Sequence, residues 1–134
     1  MRQSEKHSEI IAYEGQKFTI EWYHDASGKS QAFDFAESMD ESEQRKLAVL
    51  FKALGDIGKI QNKEKFRNEG NKIHAFKPKP HRFLSFFFTG GKVNVTNAFT
   101  KKQDKLPATE KERALKAMQD YEQRVKTGTY YEHR

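Results

Sequence analysis

Apolar and polar residues alternate strictly along KFTIEWY, residues 17–23, where Phe18, Ile20 and Trp22 are interleaved with Thr19, Glu21 and Tyr23. That period of two predicts a half-buried strand. After a turn through Asp25, Gly28 and Lys29 the period lengthens. Ala32, Phe33, Ala36 and Met39 fall at helical spacing, which predicts a short helix over 30–39. Asp40 followed by Glu43 has the form of a capping box, and Leu47, Leu50, Phe51 and Leu54 make one apolar stripe, so a second helix is predicted over 41–56. Gly55 and Gly58 are its stop signals.

Residues 59–71 are polar, rich in Lys and Asn, and read as a loop anchored by Phe66. Three strand patterns follow, KIHAFK (72–77), RFLSFFF (82–88) and KVNVTNAF (92–99). Gly90-Gly91 between the last two tolerates the positive φ of a two-residue hairpin turn. Pro78 and Pro80 between the first two lack the N–H groups a sheet ladder needs, so Lys79 and His81 are expected to project into solvent there. Beyond Pro107, Ala114, Leu115, Met118, Tyr121 and Val125 recur at helical spacing. They predict a final helix over 107–126, with Thr109 and Glu112 at capping-box spacing and Gly128 past its end. The order β-α-α-β-β-β-α predicts an α+β fold in which helices cover one face of a small antiparallel sheet. One domain spans residues 17–127. Residues 1–16 form an N-terminal extension, a candidate flexible arm, and 128–134 a C-terminal tail.

Composition narrows the chemistry. Eleven Phe and five Tyr supply a core to a chain whose hydrophobic fraction is only 35%. With no Cys, a disulfide scaffold, a cysteine nucleophile and a thiolate metal site are excluded. There is no apolar run long enough for a membrane span and no signal-peptide pattern in MRQSEKHSE, so a soluble, cytoplasmic protein with no membrane partner is expected. The five His lack metal-ligand spacing, and neither a P-loop, a dinucleotide fingerprint nor a GxSxG elbow occurs, so no metal or cofactor is expected.

The net charge of +6 is unevenly spread. Residues 1–58 carry 7 basic and 11 acidic groups, residues 59–105 carry 12 and 3, and residues 106–134 carry 6 and 5. A Phe-rich segment with that excess suits a polyanion, although a plain solvated basic face would look similar. Lys77, Lys79, His81 and Arg82 flank the Pro-stiffened connection, and a turn at Gly90-Gly91 sets Arg82 opposite Phe99, beside Lys101 and Lys102. Cations so crowded repel one another unless an anion joins them.

The runs FKALGDIGKI, KFRNEGNKIHAFKPKPHRFLSFFF and NAFTKKQDKLPATEKERALKAMQDY closely resemble the RelE/HigB superfamily of toxin–antitoxin toxins, in its phage-derived branch. Matching motifs are His81-Arg82-Phe83, Phe99-Thr100-Lys101-Lys102, Pro107 and Asp120-Tyr121, within a resemblance covering about residues 17–127. It implies a RelE-like fold and an endoribonuclease that cuts mRNA on the ribosome. It also implies a cognate helix-turn-helix antitoxin as partner and no small-molecule cofactor. In such chemistry the 2′-OH attacks the adjacent phosphate, which needs a base, a stabiliser of the phosphorane charge and an acid. Arg82, Lys102 and Lys77 match basic positions of the family, and His81 is the candidate acid or base, unless it only fills a position often held by Tyr. Lys79, Lys101, Lys105, Lys72, Arg67 and Lys65 are the candidate RNA-binding residues. Many members carry a catalytic Tyr or His near the C-terminus; here Tyr130, Tyr131 and His133 follow the helix in an open register. The related ParE group inhibits gyrase without cutting, and a non-catalytic RNA-binding or prophage protein is the third alternative.

Overall fold

The computed structural model describes residues 10–103 and 105–131. It is an α+β protein built on one six-stranded sheet, mostly antiparallel, with three helices. In chain order the elements are β1 (Ile11–Glu14), β2 (Thr19–Trp22), α1 (Gln31–Ser38), α2 (Glu41–Ile57), β3 (Phe66–Gly70), β4 (Ile73–Phe76), β5 (His81–Phe88), β6 (Lys92–Thr100) and α3 (Ala108–Lys126). Across the sheet the strands run β1-β2-β6-β5-β4-β3, and β2 lies parallel to β6 while every other pair is antiparallel. Among the described residues no helix is long and apolar enough to cross a membrane.

Local patterning accounts for most of these elements. Ser30 caps α1 by accepting from the Phe33 N–H, and the capping box of α2 is complete, with Asp40 accepting from Glu43 N while Glu43 reaches back to Asp40 N. Gly58, at φ +95°, closes α2 in the left-handed region. The capping box anticipated at Thr109 and Glu112 does not form. Helix α3 starts at Pro107, whose carbonyl accepts from both Glu110 N and Lys111 N.

Two strands depart from the expectation. Strand β1 lies inside the segment read as an extension, and β3 inside the segment read as a loop. Neither alternates, and each sits at an edge of the sheet, where only one side must be buried: in β3 Phe66 alone points into the core. The helices also do not share one face. α1 and α2 cover Ile20, Trp22, Phe76, Phe83, Val93 and Val95 on one side, while α3 covers Ile73, Ala75, Leu84 and Phe86 on the other. The strands are buried on both faces, which is why β5 reads as a nearly continuous apolar run.

The β5–β6 hairpin reaches its expected register by a different route. Phe88 pairs with Lys92, so three residues, Thr89 to Gly91, make the connection instead of two. An extra residue in β6, Thr96, then bulges between the pairs Ser85–Val95 and Leu84–Asn97, and its hydroxyl donates to the Leu84 carbonyl at 3.2 Å. The bulge restores Arg82 opposite Phe99. Beyond the end of β2, the Gln31 amide stands in for a strand neighbour, accepting from Ala98 N at 2.7 Å and donating to Ala98 O at 2.9 Å.

At the β1–β2 turn the chain meets the end of α2 through two glycines. Lys17 N and Phe18 N both donate to Gly55 O, and a Cβ on Gly15 would lie 2.3 Å from the Gly55 carbonyl carbon. Gly15→Ala is therefore expected to cost about 2–3 kcal/mol in denaturant unfolding, since backbone on both sides must shift. On the α3 face of the sheet the tail folds back: Tyr131 donates to Glu21 at 2.6 Å, and its hydroxyl lies 2.5 Å from that of the buried Tyr121. Burial pushes the Glu21 carboxyl above its usual range, against the opposing pull of Tyr131 and Lys92. A raised folded pKa favours the fold most below the unfolded value of about 4.3, and that contribution is lost as pH rises through the raised value. Glu21→Gln should flatten this decline in a stability–pH profile.

Candidate nucleic-acid interface

Four strands end together near the Pro78-Lys79-Pro80 connection. Lys77 N donates to Lys65 O, His81 N to Pro78 O, and Lys101 N to Pro80 O, all within 2.8–2.9 Å. Lys65, Lys77, Arg82 and Lys101 are thereby brought to one end of the sheet; the hairpin register predicts this for Lys77, Arg82 and Lys101, while Lys65 arrives through the pairing of β3 with β4.

Alternation along β5 decides which of them share a face. Arg82 is in step with Leu84 and Phe86, which face α3, whereas His81 is in step with Phe83, which faces α1 and α2. Arg82 is only 7% exposed, and its Nη1 donates to the His81 carbonyl at 2.9 Å. Among the described residues no carboxylate forms an ion pair with it. Burial lowers its pKa from the ordinary value, and Glu69 and Glu64 act on it only through space.

Lys77 sits beside this guanidinium. Burial pushes its pKa down, Arg82 and Arg67 push it further, and Glu64 and Glu69 oppose them. Its Nζ donates to the Lys63 carbonyl at 3.0 Å. Lys79 pairs with Glu64 at 3.2 Å, both exposed, and the Glu64 carboxyl is lowered by Lys79 first and then by Lys77, with Lys101 contributing. The cluster is thus partly compensated, which the charge count along the chain did not reveal. Lys102 and Lys105 are exposed on the connection to α3. Lys65 and Arg67 are exposed along the β3 edge, while Lys72 occupies the β3–β4 turn at the far end of β4 from Lys77.

His81 does not point into solvent. Its ring is buried on the α1–α2 face, with Nδ1 3.1 Å from Thr100 Oγ1, the Phe35 ring edge-on at 5.2 Å, and Nε2 3.2 Å from Glu43 Oε2. That last contact is at ion-pair distance but is not aligned as a hydrogen bond. The imidazole is therefore across the sheet from the Arg82 guanidinium. The tail tyrosines also lie elsewhere. Tyr130 accepts from His24 N and packs on Tyr23 and Tyr121, and Tyr121 in turn packs on Phe88, six residues or about 20 Å along β5 from Arg82. His133 lies outside the described residues. Glu64 and Glu69 have no motif to single them out in the sequence, and Glu43 is marked there only as the capping-box partner of Asp40, because the groups these carboxylates meet here are distant in the chain. Among the described residues no group of three or more His, Asp or Glu is arranged to hold a metal ion.

A family model described as "Phage derived protein Gp49-like (DUF891)" matches residues 34–119, more than half of the chain. The chain belongs to the phage-derived Gp49-like family. This family is associated with the toxins of toxin–antitoxin systems. No curated protein matches the chain. The Gp49-like span starts within α1 and ends within α3, so it contains Lys77, Arg82 and Lys102 but omits β1, β2 and the tail tyrosines.

A buried guanidinium without a carboxylate partner is costly to the fold, and an apolar isostere removes that cost. Arg82→Met is accordingly expected to unfold at equal or higher denaturant concentration than the natural chain while losing affinity for polyanions. A large loss of stability would instead mark Arg82 as a structural residue.

Proposed function

We propose that this Gp49-like protein is the toxin of a toxin–antitoxin pair and that it cleaves mRNA on the ribosome. The observation that carries the reading is Arg82, a nearly buried guanidinium that among the described residues has a carbonyl partner and no carboxylate counter-ion. Its planar fork of donors suits two phosphate oxygens, and a low-dielectric setting strengthens that attraction. The +9 balance of residues 59–105 supplies the surrounding field.

In the proposed reaction the 2′-OH attacks the neighbouring phosphorus, the P–O5′ bond breaks, and a 2′,3′-cyclic phosphate and a 5′-OH end are left. Arg82 stabilises the charge on the phosphorane. Lys77, adjacent and with its pKa pushed down, is the group suited to move the proton. Lys101 and Lys102, at the end of β6, hold the flanking phosphates. His81 takes no proton step here, because its ring faces the other side of the sheet. The partners that go with this reading are ribosome-bound message and a helix-turn-helix antitoxin.

Induced expression should arrest growth and yield transcripts with new 5′-OH ends, and Arg82→Ala should abolish both at unchanged protein level. Lys77→Met should slow cleavage by about a hundredfold or more. A message with 2′-deoxy sugars at the cut sites should resist, as only RNA carries the nucleophile. Growth arrest with intact transcripts and inhibited gyrase would replace this reading with the non-cleaving one.

A further inference from the structure

The cations of β3 and its flanks do not all gather at Arg82, and the aromatic residues near the hairpin turn are not all sealed in the core. Strand β3 is the last in the sheet, so its outer edge is open. Lys65 stands level with Lys77, Arg67 level with Ala75, and Lys72 follows at the turn, so exposed cations lead along this edge away from Arg82. At the far end the α1–α2 face carries a cluster of rings. His74 stacks parallel on Phe66 at 5.4 Å, and Phe87 meets Phe66, His74 and Phe18 edge-on at 5.1–6.3 Å. Phe87 is 38% exposed, the one aromatic residue among the exposed large hydrophobics of the described residues. Lys17 and Phe18 both border Gly58, so a further cation lies near the rings. Burial lowers the His74 pKa, despite opposing contributions from the Lys72 backbone and Glu69, which keeps this ring closer to an uncharged aromatic surface.

We propose that single-stranded RNA leaves the Arg82 site along the open edge of β3, its phosphates on Lys65, Arg67 and Lys72, and places a base against Phe87 and His74. The inference rests on the reading that Arg82 binds an RNA phosphate. It accounts for Lys72, which lies at the far end of β4 from the Arg82 site, and for a phenylalanine left at the surface. A line of cations ending at an aromatic surface is what sequence-tolerant strand binding uses, because every base has a π face. Glu69 sits on this path, but Lys111, whose Nζ donates to the Glu69 backbone carbonyl at 2.9 Å, adds a further cation beside it, and cations outnumber it.

The test is binding of a fluorescent, 2′-O-methylated single-stranded RNA of about twelve nucleotides to the full chain, across a salt series. Each RNA phosphate that a variant no longer neutralises should make the slope of log affinity against log salt shallower by about 0.7. The triple variant Lys65→Gln, Arg67→Gln, Lys72→Gln is expected to flatten it by about 2 and to weaken binding at least tenfold. Phe87→Leu, which keeps an apolar group in place, should weaken binding about fivefold or more with little change in salt slope, and Phe87→Trp should restore it. Thermal melts of each variant show that the fold is kept. If Arg82→Ala weakens binding but the triple variant keeps the natural slope, or Phe87→Leu keeps the natural affinity, the proposed path is overturned and the Arg82 reading stands. If the natural chain does not bind the probe, or Arg82→Ala binds it equally well, the reading fails and the path with it.

Discussion

Alternation along β5 is the constraint on which the rest of the molecule depends. This strand is buried on both faces, with Phe83 fixed under α1 and α2 and Leu84 and Phe86 fixed under α3. A slip of one residue would exchange the two sets and put Arg82 in the larger core. The register is held by the three-residue connection, by the Thr96 bulge and by the Gln31 amide that completes the edge of β6. Each of these devices acts on backbone geometry, yet the consequence is chemical: a guanidinium is turned to one face and the neighbouring imidazole to the other.

The two ends of the sheet have opposite characters. At the Phe88 end, polar groups satisfy one another. Arg124 binds Asp120 at 2.7 Å and the His24 carbonyl, Tyr23 donates to Asp120, and Tyr130 and Tyr131 bring the tail onto Glu21 and His24. At the Arg82 end, among the described residues, Glu64 compensates Lys79 while Arg82 has a backbone carbonyl and no carboxylate partner. A fold can carry such a deficit when cohesive contacts elsewhere offset it, and sites that bind charged ligands are where this imbalance is expected. The separation also keeps Tyr130 and Tyr131 away from the cationic site.

Much of this was legible in the sequence because the causes are local. The capping box at Asp40 and Glu43, the apolar stripe of α2, the Gly90-Gly91 hairpin and the meeting of Lys77, Arg82 and Lys101 all follow from short-range periodicity and turn chemistry. Arg82 stands opposite Phe99 as expected even though turn and bulge each differ by one residue from the simplest hairpin, because the two departures cancel. The missing acidic partners were not legible: Glu64 meets Lys79, and Glu43 meets His81, only through the folding of distant segments.

By itself, then, the sequence determined the helices, the hairpin, the Phe-rich core and the concentration of positive charge in the middle third, since each is written in neighbouring residues. Tertiary structure alone decided the edge strands β1 and β3, whose pairing partners rather than their own patterns make them strands. It also decided that helices close both faces of the sheet, and that His81 and the tail tyrosines turn away from Arg82. Strand alternation is a local rule, but which face it points to is set by what packs there, and that is a property of the whole chain.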